Sequence, residues 1–227
     1  MRDVVINTSW LADRFPATLG NGARWGLRIA YSYEGNTPLE TGGGLLHALP
    51  LLGDDDAFLA INGDIWTDAD LAPLLQPPRG DAHLVLVDNP AQHPAGDFVL
   101  RADGRVVDDD DLHHRDGRRG DAEDRGVDVG ASRSTPSGLG AIAAGRLTFA
   151  GIGTYRRALF DGWREAVGDA PGADATPPRF RLPPLLLTAM ARGRVDGRHH
   201  RGAWTDVGTP ARLAELDAAL GGTGVTP

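Results

Sequence analysis

The run Ala57 to Ile61 is unbroken apolar sequence that stops abruptly at Asn62-Gly63-Asp64. A strand buried on both faces of a parallel sheet has this composition, and its chain turns polar where it emerges at the sheet rim. The run therefore points to a sheet covered by helices, with an acid, Asp64, where the strand surfaces. In open α/β sheets ligands bind outside the carboxyl ends of the strands. Asp64 thus stands where a metal or phosphoryl ligand would sit, and Gly63 permits close backbone approach. The same residues also read as a strand followed by an ordinary Asn-Gly turn. A second stretch of the same kind, Trp204-Thr205-Asp206-Val207-Gly208-Thr209, lies far away in the chain.

The other segments alternate in the same sense. Asp3 to Asn7 is a β-branched strand, Ser9 caps a helix through Trp10, Leu11 and Phe15, and Leu27 to Tyr33 alternates as a half-buried strand. A loop from Glu34 to Gly44 leads to a helix over Leu45 to Leu52; Thr67 caps another carrying Leu71, Leu74 and Leu75. Leu84 to Val87 is a strand, and Asp97 to Leu100 with Arg105 to Asp108 forms a hairpin around Ala102-Asp103-Gly104. Leu147 to Tyr155 is a strand, Arg156 to Val167 a helix, Leu182 to Arg192 a leucine-rich helix and Arg194 to His200 a short strand. Thr209 and Pro210 open a last helix with Leu213, Leu216 and Leu220 on one face. The expected architecture is a Rossmann-like α/β fold with a mixed, mostly parallel sheet, in one domain over residues 1–227. The Asp-, Arg- and Gly-rich stretch 109–145 is expected to be a disordered surface insertion.

Composition narrows the function classes. The 227 residues carry a net charge of -8, which argues against nucleic acid and anionic membranes as partners. No long apolar run or signal peptide is present, so a cytoplasmic location is expected. The absence of cysteine removes disulfides, thiolate metal sites and thiol nucleophiles. All 23 basic residues are arginine, so any phosphate contact made elsewhere by lysine falls here to a planar guanidinium.

The chemistry concentrates in three places. In Glu40-Thr41-Gly42-Gly43-Gly44 the glycines let the backbone approach a flat or anionic ligand, and a helix start at Leu45 offers unpaired amides; a plain loop fits as well. Asp206 precedes a helix, where an acid is favoured by the helix dipole. Asp64 and Asp206 together could alternatively grip one Mg²⁺ that also binds phosphate oxygens. The pairs His113-His114 and His199-His200 lack further ligands at metal spacing.

The chain resembles the sugar-1-phosphate nucleotidyltransferases, most closely the N-acetylmuramate-1-phosphate uridylyltransferases of peptidoglycan recycling. The resemblance rests on Val4 to Leu11, Pro38 to Leu52, Asn62 to Asp68, His83 to Pro90, Leu147 to Ile152 and Trp204 to Thr209. Glu-Thr-Gly-Gly-Gly at Glu40 favours this subgroup over mannose-1-phosphate guanylyltransferases, which tend to carry Gly-Thr-Ala-Gly there. The resemblance implies Mg²⁺-dependent transfer from UTP to a sugar-1-phosphate, releasing pyrophosphate. It assigns the metal to Asp64 and Asp206. The backbone of Thr41, Gly42 and Gly43 would meet the uracil, with Glu40, Asn62 and Gly63 also on the nucleotide side. Gly151, Trp204 and Thr209 would line the sugar-phosphate side. Arg181 stands where the family has a lysine on the sugar phosphate.

One departure is larger. Family members open with a strand and a glycine-rich, Arg- and Lys-containing loop that wraps the triphosphate, and the sequence here starts beyond it. Met1 is therefore expected to be internal to a longer chain, a natural truncation being the lesser alternative. A non-catalytic remnant that binds sugar nucleotides, and a mannose-1-phosphate guanylyltransferase, are the competing functional readings. The oligomeric state is open.

Overall fold

The computed structural model describes residues 2–108 and 145–221. The expected insertion and His113-His114 lie outside these, apart from Gly145. Ten strands and five α-helices are described. Strand β1 (Asp3–Thr8) pairs in parallel with β2 (Arg28–Tyr33), and α1 (Arg14–Leu19) lies between them in the chain. The first helix thus starts after Leu11, at whose left-handed φ of 53° a right-handed helix cannot continue.

The central sheet contains β3 (Ala57–Ile61), β8 (Thr148–Arg156), β5 (Ala82–Val87) and β9 (Val195–His199), in that spatial order. Strands β3, β5 and β9 run in one direction and β8 runs against them. Burial on both sides accounts for the apolar pattern of β5. Strand β3, expected to be buried on both faces of a parallel sheet, is instead an edge strand among the described residues: it pairs antiparallel with β8, is half-buried, and ends on the exposed Ile61. Along β5, Leu84 and Leu86 pack with Tyr155, Phe160 and Leu186, whereas Val85 and Val87 pack on the opposite face with Leu74, Ala150 and Ile152. Helix α4 (Pro183–Ala191) covers the first face, burying Leu185, Leu186, Ala189 and Met190. A short ribbon, β4 (Ile65–Thr67) with β10 (Trp204–Asp206), projects from the rim; β6 (Val99–Leu100) and β7 (Val106–Val107) form the expected hairpin. Helix α3 (Trp163–Val167) and α5 (Pro210–Ala219) complete the described elements.

Three further expectations are corrected. Helix α2 spans Glu40–Ala48, so Gly42, Gly43 and Gly44 lie inside a helix and are buried there. Each glycine disfavours a helix by about 1 kcal/mol relative to alanine, yet close packing overrides that propensity. A Cβ on Gly42 would lie 2.6 Å from the Phe180 ring, one on Gly43 2.5 Å from the Pro178 carbonyl oxygen, and one on Gly44 2.5 Å from Glu34 Oε1. Secondly, Thr67 caps no α-helix. It belongs to β4, drawn there by pairing with Trp204, and Leu74 and Leu75 sit in a 3₁₀ turn over Ala72–Leu75. Thirdly, Arg156 to Val167 is broken: Arg157–Phe160 is 3₁₀, and Gly162 at φ 68° separates it from α3.

Candidate functional site

The rim of the sheet carries a cavity of about 240 Å³ lined by residues from four separated stretches of chain. The exit of β3 supplies Asn62, Asp64 and Ile65. Asn62 donates its backbone N–H to the Gly151 carbonyl at 2.8 Å, extending the pairing with β8 past the strand end. At that point β8 carries Gly151 in the left-handed region at φ 73°, where a Cβ would lie 2.7 Å from Asn62 Nδ2. Only glycine fits both the conformation and the space.

The ribbon brings the two acids together. Asp206 stands opposite Ile65 in the β4–β10 register, and Val207 N–H donates to the Asp64 carbonyl at 2.7 Å. Both side chains line the cavity. Asp206 is held from two directions: Gln92 Nε2 donates to its Oδ1 at 2.8 Å, and Arg212 Nη2 lies 3.1 Å from its Oδ2. Asp64 is exposed, and its carboxylate has no side-chain partner among the described residues. A Cβ built on Gly208 would be 3.0 Å from Arg212 Nη2 and 3.5 Å from Asp64 Oδ2, so Asp64 and the arginine that holds Asp206 both approach that glycine. Trp204 Nε1 donates to the Ala150 carbonyl at 2.9 Å, which fixes the indole as a wall.

The far wall comes from the segment after β5. Asp97 accepts from Phe149 N–H at 2.8 Å through Oδ2, and His93 Nε2 lies 3.0 Å from its Oδ1. Asn89 accepts from Thr148 Oγ1 at 2.9 Å and donates to the Arg146 carbonyl at 3.0 Å. Sequence reasoning missed Gln92, His93, Asp97 and Arg212. A signal existed for the first three, because β5 ends as β3 does, passing from an apolar run into Asp88-Asn89-Pro90 at the same rim.

Asn62, Asp64, Gly151, Trp204 and Asp206 are thus brought to one cavity, whereas Gly63, Thr209, Arg181 and the Glu40 segment are not among its lining residues. Thr209 caps α5, accepting from Arg212 N–H at 3.3 Å. Arg181 is exposed and its backbone carbonyl carbon packs against Gly42. The expected unpaired amides at Leu45 do not arise, since the helix begins at Glu40; the Gly43 N–H donates to the Phe180 carbonyl at 2.9 Å. Glu40 itself has a φ of 63°, unusual for a residue with a Cβ, and pairs with Arg179 at 2.8 Å.

Asp64 and Asp206 offer hard carboxylate oxygens, the donor type of a Mg²⁺ ion that takes its remaining ligands from substrate phosphate and water. The unpartnered Asp64 carboxylate suits that use. Among the described residues no group of three or more His, Asp or Glu side chains could hold a metal unaided. His199 and His200 each face a carboxylate instead, Asp88 at 3.0 Å and Asp68 at 2.8 Å.

No family model matches the chain. It is 37% identical over 224 residues to N-acetylmuramate alpha-1-phosphate uridylyltransferase of Neisseria meningitidis, covering 96% of this chain and 78% of that one. The protein of the same description from Caulobacter vibrioides is 32% identical over 228 residues, covering 95% and 76%. Mannose-1-phosphate guanylyltransferase of Mycobacterium tuberculosis is 40% identical over 87 residues, covering 37% of this chain and 24% of that one. Among solved structures, one from Bacillus anthracis described as a glucose-1-phosphate thymidylyltransferase, in complex with a sucrose, superposes with a TM-score of 0.63 at 15% identity. It covers 98% of this chain and 78% of that one, a likeness of fold.

Proposed function

We infer the reaction from one premise: this chain belongs to the sugar-1-phosphate nucleotidyltransferases, in the group of the N-acetylmuramate alpha-1-phosphate uridylyltransferases. The reaction proposed is transfer of UMP from UTP to N-acetylmuramate 1-phosphate. An oxygen of the sugar phosphate attacks the α-phosphorus, a new P–O bond forms, and the bond from that phosphorus to the β-phosphate's bridging oxygen breaks. UDP-sugar and pyrophosphate are the products. The observation that carries this reading is the β4–β10 ribbon, which sets Asp64 and Asp206 on one cavity with Gly151 and Trp204.

In this reading Asp64 and Asp206 hold Mg²⁺, which when bound neutralises charge on the transferring phosphoryl group. The protein's own part is mostly positioning. Gln92 and Arg212 keep the Asp206 carboxylate from rotating, while Asn62 and Gly151 shape the rim. The Trp204 ring closes one side and leaves its N–H satisfied by protein, so the ring face can pack on a sugar. Arg181, exposed beside α2, is assigned to a substrate phosphate. The same reading puts the chain in the recycling of cell-wall sugars in the cytoplasm. None of the described helices is long and apolar enough to cross a membrane.

The test is release of pyrophosphate from UTP with N-acetylmuramate 1-phosphate, compared with GTP and mannose 1-phosphate. The UTP pair is expected to be preferred, and Asp64→Asn to lower kcat/KM by about a hundredfold or more, as loss of a group stabilising transition-state charge does. A preference for the GTP pair would identify a guanylyltransferase. Binding of UDP-sugar with no turnover would identify a non-catalytic domain, and full activity of Asp64→Asn would remove the metal role.

A further inference from the structure

Arg212 occupies a position that costs it free energy twice. It is the third residue of α5, in the first turn, where the helix dipole presents its positive end and disfavours a cation. The first turn of α5 contains no acidic residue to offset this. In addition, the Arg212 Nε is buried with no hydrogen-bond partner among the described residues. A buried donor left unmade calls for a physical reason. The Thr209 cap on the Arg212 N–H fixes the backbone, so the guanidinium is directed at Asp206, 3.1 Å from Nη2 to Oδ2. Roughly a quarter of each side chain is exposed, at 27% for Arg212 and 29% for Asp206. Asp64 lies nearby without pairing to it: a Cβ built on Gly208 would be 3.5 Å from Asp64 Oδ2 and 3.0 Å from Arg212 Nη2. One of the two acids, Asp206, therefore already holds a positive charge.

We propose that Arg212 is a placeholder cation for Asp206: in the free protein its guanidinium takes the place at the carboxylate that a divalent ion takes on loading, and so weakens ion binding before nucleotide arrives. This rests on the reading that Asp64 and Asp206 receive the ion. Gln92, being neutral, steadies the other oxygen without competing for it. Arg212 is thereby a positioning residue with an electrostatic effect. The anionic triphosphate offsets the guanidinium's repulsion, which makes ion and nucleotide bind together more favourably than either alone. The unpartnered Nε then has an acceptor available, a phosphate oxygen.

The experiment measures Mn²⁺ binding to the full chain without nucleotide, from the electron paramagnetic resonance signal of the free ion. A cation beside a carboxylate changes that group's affinity for positive charge by about tenfold or more, so Arg212→Gln is expected to bind Mn²⁺ about tenfold more tightly than the wild type. Arg212→Lys, which keeps the charge, should bind close to the wild type, and Asp206→Asn more weakly. A merely structural Arg212 would alter the melting temperature and leave Mn²⁺ affinity in place. Unchanged or weaker binding by Arg212→Gln, with Asp206→Asn weakened, overturns the proposal while the carboxylate pair stands. Wild-type binding by Asp206→Asn removes the pair itself, and the proposal with it. Should Arg212→Gln fail to fold, Arg212→Met, which retains the aliphatic stem, carries the same comparison.

Discussion

Gly151 shows how much of the site depends on single residues. Its left-handed φ of 73° and the 2.7 Å that would separate a Cβ from Asn62 Nδ2 act independently. Gly151→Ala is expected to destabilise the protein by about 1–2 kcal/mol from backbone conformation alone. It should also push Asn62 out of the cavity rim. Denaturant unfolding checks the first effect and the KM for sugar phosphate the second; a variant unchanged in both would refute the account of this rim. In the sequence, Gly151 is one of 31 glycines and carries no mark of a positive φ. Asp64, by contrast, is legible without any structure, because an acid that ends an apolar run must surface. Arg212 is not, since its meaning lies in a contact across the ribbon to Asp206.

At the scale of elements, α2 is the instructive case. Three glycines in succession look like a loop, and a helix interior is a costly place for them. The structure uses them for approach: the Pro178 to Arg181 backbone and the Phe180 ring lie against one side, and Glu34 with Asn7 against another. Asn7 Nδ2 donates to the Gly44 carbonyl at 2.8 Å, so the helix is bound to β1 as well. Gly43→Ala would place a Cβ 2.5 Å from the Pro178 carbonyl oxygen, an atom of backbone that cannot swing aside. It is expected to cost about 1–3 kcal/mol, as overpacking does, seen as a lower midpoint in denaturant. A gain in stability from the better helix propensity of alanine would show that packing does not decide this helix. The Thr67 segment makes the same point for strands. Its capping pattern is real, yet pairing with Trp204 wins because that ladder fixes a long-range contact.

Over the whole molecule, the cavity is closed by chain positions as distant as Asn62 and Asp206, so bound ligand should tie the central sheet to the ribbon. A UDP-sugar at about a hundred times its dissociation constant is expected to stabilise the protein by about 2.7 kcal/mol. Thermal unfolding with and without the ligand reads this directly, and Trp204→Ala should reduce the shift by weakening the site. No shift at saturating ligand would place binding elsewhere. By itself the sequence determined the layered α/β architecture, an acid at the end of a strand and another before a helix, and the family, because burial periodicity and short motifs are local properties. Only the tertiary structure decided that Asp64 and Asp206 share a cavity and that a glycine triplet is helix. It alone decided that an arginine already sits on one of the acids, because each of these is settled by which distant segments pack together.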